Sequence, residues 1–265
     1  MRLTVDGRET YAGTGGRPFD PSRPVMVFIH GAGLDHTCWQ LQSRWFAWHG
    51  WSVLAVDLPG HGRSAGPPRD QIAGMVSFVE ALLSAAGAST AALVGHSMGA
   101  IIALEAAAKR PDMVSHLALL GVASSMPVHP NLLRDARDNP AVAYDTMTGW
   151  CHSQPAKLGG NSAPGLWLTG GSRALFGHSP EGVLAVDLAA CNAWPGGAEA
   201  AAKVQCATLL LSGANDVMTP ARKAVELSQH ISQSNFVTLP GCGHMMMSEQ
   251  PDAVLDALIA HLGAA

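Results

Sequence analysis

Ser97 sits in LVGHSMGAIIAL (residues 93–104), where an apolar run that reads as a strand gives way to one that reads as a helix. A strand that enters G-x-S-x-G and leaves as a helix makes a sharp turn and presents the serine hydroxyl at the edge of a sheet. The backbone at such a serine is strained. Its neighbours Gly95 and Gly99 carry no Cβ, so strand and helix can approach without a clash. The helix N-terminus then points free amides and the positive end of its dipole at the reacting atom. On this reading Ser97 is a nucleophile and the Met98 N–H is one oxyanion donor. Five such residues also fit an ordinary glycine-rich turn with an incidental serine, so the reading depends on partners elsewhere.

A serine hydroxyl needs a base, and the base needs an acid to orient it. Asp216 lies in ANDVMTP after the apolar run ATLLLSG, with Thr219 placed to cap the next helix and Pro220 in its first turn. His244 lies in LPGCGHMMMSEQP after the next strand, ahead of a helix expected to open near Ser248. Both fall beyond the C-terminal ends of strands, where open α/β sheets build their sites. Asp216 alone reads as a turn residue and His244 alone as a loop histidine. Together with Ser97 they stand in the order serine, aspartate, histidine. A fourth element, His30-Gly31-Ala32-Gly33, follows another buried strand and offers a second oxyanion amide, from Ala32 first and Gly33 in reserve. Gly33, His96, Met218, Met245 and Trp150 are expected to line the substrate pocket, although a histidine at position 96 more often packs beneath the elbow than touches substrate. The methionines beside the triad would give an adaptable apolar wall.

The elements that position these groups follow from hydrophobic patterning. LTVDGRETYAG alternates around Asp6-Gly7 as a hairpin, while PVMVFIHG (24–31) and WSVLAVDLPGHGRS (51–64) carry continuous apolar runs typical of strands buried on both faces. QIAGMVSFVEALLSAAG (71–87) is an amphipathic helix closed by Gly87, and VSHLALLGV (114–122) is a further strand. Strands alternating with helices at this spacing imply βαβ units and a mostly parallel sheet. The alternation pauses between about 123 and 205, where only helix-like pieces such as NLLRDARD and GVLAVDLAACNAW appear, and resumes at ATLLLSG. The expected organisation is therefore an α/β core of residues 1–122 and 206–265 with a helical cap inserted at 123–205. Its Gly- and Pro-rich stretches KLGGNSAPG and TGGSR read as mobile pieces that gate entry.

Composition narrows the function classes. The chain has 265 residues, 48% apolar and 14% charged, with a net charge of −4, which fits a globular domain and gives no basic stripe for nucleic acid. The five cysteines are scattered without C-x-x-C spacing, and the twelve histidines show no paired ligand spacing, so no disulfide framework and no metal are expected. No apolar run has the length of a signal peptide or a membrane span, and a cytoplasmic protein without membrane partners is expected.

Taken as a set, HGAG, DLPGHGRS, GHSMG, the Asp216 loop and GHMMMSEQP resemble the α/β-hydrolase fold superfamily, in its capped branch of esterases, lactonases, C–C hydrolases and thioesterases. The resemblance implies an eight-stranded, mostly parallel sheet with its second strand antiparallel, helices on both faces and a cap. It also implies a cofactor-independent serine hydrolase that cleaves a small-molecule ester of small or medium apolar character, as a monomer or homodimer. Lactonase, thioesterase or C–C hydrolase activity on the same triad are the alternatives, with a small-molecule receptor of residual hydrolysis as the non-enzymatic one. Ser97 stands where aspartate-nucleophile members carry Asp, and His96 stands where C–C hydrolases often carry Asn.

Overall fold

The computed structural model describes residues 1–160 and 166–264. Strand β1 (Arg2–Val5) turns back into β2 (Arg8–Gly13) through Asp6 and Gly7, whose φ angles of 50° and 72° suit a two-residue hairpin turn. Strands β3 (Val25–Ile29), β4 (Ser52–Val56) and β5 (Ala91–His96) are buried at every residue, which is why their sequences run apolar without alternation. With β6 (Val114–Leu120), β7 (Ala207–Gly213) and β8 (Ser234–Leu239) they form, among the described residues, an eight-stranded sheet ordered β1-β2-β4-β3-β5-β6-β7-β8. β2 pairs antiparallel with both of its neighbours, and the pairings from β4 through β8 are parallel.

Helices cover both faces of the sheet. After a 3-10 turn at His36–Trp39 comes α1 (Gln40–Trp48); α2 (Ile72–Ala85) follows β4 and α3 (Met98–Lys109) follows β5. In α2 the buried residues Ile72, Met75, Val76, Val79, Leu82 and Leu83 recur at helical spacing, and Gly87 beyond its end takes a φ of +72°. α3 packs on α2 and on β5 and β6, and is almost wholly buried. Each large apolar side chain buried in this way contributes about 1.5–3 kcal/mol, which anchors the turn that precedes α3.

Between β6 and β7 run α4 (Pro130–Asp138), α5 (Pro140–Cys151), α6 (Gln154–Lys157), α7 (Leu168–His178), α8 (Val183–Ala193) and α9 (Ala198–Lys203). Proline opens α4 and α5, where its missing N–H costs nothing. The stretch TGGSR is not a loop but the body of α7, because Leu168, Ser172 and Phe176 bury one helical face. Its Gly170 admits the Trp167 ring, since a Cβ there would lie 2.2 Å from that ring. Part of KLGGNSAPG, residues 161–165, lies outside the described residues. After β7 come α10 (Ala221–Ser228), α11 (Met246–Glu249) and α12 (Pro251–Leu262), the last packing against α1.

Candidate active site

Ser97 joins β5 to α3 with φ 54° and ψ −116°. Apart from Asp6 it is the one non-glycine residue with positive φ among the described residues, a conformation that costs about 1–3 kcal/mol and persists where packing over-determines it. The packing is explicit. A Cβ on Gly95 would lie 2.2 Å from the Gly99 carbonyl oxygen, and one on Gly99 would lie 2.2 Å from that of Ile29. The Ser97 N–H donates to Leu120 O at 2.9 Å, so the neighbouring strand pins the turn. The Ser97 hydroxyl makes no hydrogen bond among the described residues.

Asp216 and His244 meet beyond the ends of β7 and β8. The His244 Nδ1–H donates to Asp216 Oδ2 at 2.7 Å. The Thr219 hydroxyl donates to the same oxygen at 2.6 Å, and the Met218 and Thr219 N–H groups donate to Oδ1. Burial pushes the Asp216 carboxyl up, but the adjoining His244 imidazole and these donors outweigh it, and the net shift is downward. Thr219 therefore does not cap the following helix; α10 starts at Ala221 after Pro220, with no side-chain cap. The His244 N–H is held by Cys151 O at 2.8 Å, a residue at the end of α5. Gly121 leaves room for the imidazole, because a Cβ there would lie 3.0 Å from His244 Cε1. His96 is buried beneath, its Nε2–H donating to His244 O at 3.0 Å; burial, and then the neighbouring His244, bring its pKa down to about 3, so it is neutral.

The loop after β3 passes close to the serine, with a Cβ on Gly31 predicted to fall 3.2 Å from Ser97 Cβ. The neutral His30 ring donates from Nδ1 to Gly31 O at 2.9 Å and accepts the Leu58 N–H at Nε2. Leu34 N–H also donates to Gly31 O, and Gly33 N–H donates to Asp187 Oδ2 at 2.8 Å. The Ala32 and Met98 N–H groups donate no hydrogen bond among the described residues. The two glycine-loop amides read from the sequence thus differ: Ala32 is free, whereas the reserve, Gly33, is already committed.

Ser97 and His244 share a cavity of about 390 Å³. Of the residues expected to line the pocket, His96, Met218, Met245 and Trp150 border this cavity, together with Ala32, and Gly33 does not; a Cβ on Gly33 would instead meet Leu184 and Phe176. Helices from the insertion supply much of the wall, including Leu132, Met147, Phe176 and Leu188. No Lys, Arg, Asp or Glu is among the lining residues described. Trp194 packs against α3, with its Nε1–H on Glu105, and Trp167 is exposed, so neither reaches the cavity.

Three groups around the site escape a reading by motif. Thr219 is one. Asp187 of α8 is another: fully buried, it receives His61 Nε2 at 2.8 Å as well as the Gly33 amide. The third is Glu249, which accepts the Gly243 N–H at 2.9 Å and lies 3.3 Å from His152 Nδ1, joining the His244 loop to the end of α5. The one close trio of metal-ligand types among the described residues, Asp35, His36 and Asp57, is a structural contact. Asp57 accepts the backbone and ring N–H of His36 and the Arg63 N–H.

The model of the Alpha/beta hydrolase family matches residues 26–257. A putative carbamate hydrolase, RutD, of Klebsiella pneumoniae is 30% identical over 237 residues, covering 84% of this chain and 85% of its own. An (E)-2-((N-methylformamido)methylene)succinate hydrolase of Acinetobacter baylyi is 23% identical, with 89% of each chain covered. Among solved structures, an enol-lactonase of Burkholderia xenovorans superposes with a TM-score of 0.88 at 22% identity, covering 99% of both chains. A thermophilic esterase superposes at 0.82 with 26% identity, covering 99% of this chain and 96% of its own.

Proposed function

The chain belongs to the alpha/beta hydrolase family, and we propose that within it this protein is a serine hydrolase of small or medium apolar carboxylic esters. The observation that carries the proposal is the shared cavity: strained Ser97 and Asp216-bound His244 face one apolar space, which Ala32 also lines with an uncommitted amide. Residues 123–205 are the cap in this reading, and 1–122 with 206–265 the core that carries the triad.

His244 Nε2 takes the Ser97 proton as the hydroxyl oxygen attacks the ester carbonyl. In free enzymes that hydrogen bond is often long or unformed and tightens only with substrate bound. Asp216 keeps the proton of neutral His244 on Nδ1 and stabilises the imidazolium that forms. The Ala32 and Met98 N–H groups receive the tetrahedral oxyanion; one such donor typically supplies about 3 kcal/mol. The intermediate collapses as His244 gives its proton to the leaving alcohol. Water, deprotonated by His244, then attacks the acyl-serine, and the acid leaves with Ser97 reprotonated.

The lining, without Lys, Arg, Asp or Glu among its described residues, supports an apolar, uncharged acyl group. A succinate-type carboxylate, as in the name of the Acinetobacter relative's substrate, would find no cation among the described cavity residues. The test is a p-nitrophenyl ester series of increasing chain length, with a lactone and a carbamate beside it, on wild type and Ser97→Ala. The proposal expects fast turnover of neutral esters and near-complete loss in the variant. Preference for an anionic acyl group, or turnover retained without the hydroxyl, would overturn it.

A further inference from the structure

The Ala32 amide is useful only if its peptide is held at the right angle. A peptide unit is planar, so the Gly31 carbonyl and the Ala32 N–H point in opposite directions within one rigid plane. Fixing the carbonyl therefore aims the amide. His30 Nδ1–H and Leu34 N–H hold that carbonyl from behind. The next peptide is held by Asp187, which takes the Gly33 N–H from 154 residues away in the sequence. We infer that Asp187 is a positioning residue of the oxyanion hole, through which helix α8 holds the Ala32 amide in place for the hydrolysis proposed above.

The arrangement around Asp187 supports the assignment. His61 has its Nδ1 at 3.1 Å from Pro59 O and its Nε2 at 2.8 Å from Asp187 Oδ2, so both ring nitrogens face acceptors and the ring carries two protons. Its ring lies 4.8 Å from that of His30, and this positive neighbour helps to keep His30 neutral, in the tautomer that donates to Gly31 O. The titratable groups facing His61 are thus Asp187, His30 and Asp57, and Cys191 faces Asp187. The same helix reaches the substrate space. Leu188 and Cys191 line the cavity, and Leu184 closes over Gly33, where a Cβ would meet it at 2.9 Å. Seating α8 and assembling the hole are therefore one event: a displaced α8 withdraws the Gly33 acceptor and a cavity wall together.

The test uses Asp187→Ala and Asp187→Asn in the full chain. Active sites are titrated with a fluorophosphonate, so that loss of folded protein is divided out. For Asp187→Ala the inference expects kcat per titrated site to fall about 10–100-fold with KM changed less than about threefold. The Ki of a trifluoromethyl ketone, which forms an oxyanion on the serine, should rise in parallel. Asp187→Asn keeps an oxygen for the Gly33 amide and should recover much of the lost kcat at neutral pH. Wild-type kcat and Ki per titrated site in Asp187→Ala would overturn the inference. If that variant yields no folded protein, Asp187→Asn decides: its neutral, weaker acceptor for the Gly33 amide should lower kcat per titrated site by about two- to fivefold and raise the ketone Ki in parallel, and wild-type values of both would overturn the inference. The inference rests on the serine-hydrolase reading, and the two fail differently. Wild type left unlabelled at Ser97 ends that reading, whereas labelled but insensitive variants end only the role of Asp187.

Discussion

Gly99→Ala adds one methyl group where the structure has no room for it. The new Cβ would lie 2.2 Å from Ile29 O and 2.6 Å from His30 O, both backbone atoms of the adjoining strand and loop. Carbon and oxygen rest at about 3.3 Å, so α3 has to withdraw from the end of β3 by about 1 Å. Overpacking of this kind costs about 1–3 kcal/mol, and α3 is too deeply buried to shift freely. The same movement carries Ser97 and the Met98 amide with it, and a displacement of about 1 Å costs on the order of 100-fold in turnover. Gly171 on the exposed side of α7 is the control, because nothing lies within 4 Å of its Cβ position. Alanine there should stabilise the helix by about 1 kcal/mol, or roughly 2–4 °C in Tm. The assay is thermal melting together with kcat on a short p-nitrophenyl ester, normalised to titrated sites. The two variants should move Tm in opposite directions, and only Gly99→Ala should lose turnover. A Gly99→Ala protein with wild-type Tm and kcat would refute the steric account of the elbow.

Thr219→Val removes the hydroxyl that donates to Asp216 at 2.6 Å, a hydrogen bond to a charged group worth about 1.5–3 kcal/mol. Urea titration should register that loss, kcat should fall about tenfold, and Thr219→Ser should restore both. Stability should also decline on both sides of neutrality in urea midpoints measured from pH 3 to 9. Burial lowers His30 to about 4 and His96 to about 3, so the unfolded chain takes protons near pH 6.5 that the folded chain refuses until far lower. Asp216 and Glu249, both lowered once their donors outweigh burial, extend the loss below about pH 4. His61 is the opposite case. Burial lowers it but Asp187 raises it more, so its contribution is complete below about pH 6.5 and is lost as pH rises through its folded value. His61→Gln should flatten the alkaline decline and leave the acidic one in place.

What was legible in the sequence is what local physics dictates. The central strands are buried on both faces and so read as uninterrupted apolar runs, and the elbow glycines answer to contacts with adjacent backbone. The candidate triad stands out because each member follows a strand whose end is marked by glycine or a turn. The insertion is harder to read. Its helices are short, α7 carries glycines that serve a tryptophan contact, and its apolar positions face both the cavity and the core. Asp187 looks like an isolated acid in an apolar helix, because its partners His61 and Gly33 lie 126 and 154 residues away. Thr219 was within reach, three residues from Asp216, but threonine before proline also fits a helix cap, and the fold uses its hydroxyl on the carboxylate instead.

The most direct test of the central claim is the site of covalent capture. Wild type, Ser97→Ala and His244→Gln are treated with a fluorophosphonate and followed by intact mass and peptide mapping. The account predicts one adduct per wild-type chain, on Ser97, none on Ser97→Ala, and labelling slowed by orders of magnitude in His244→Gln. An adduct on another residue, or labelling of Ser97 at an undiminished rate without His244, would contradict it.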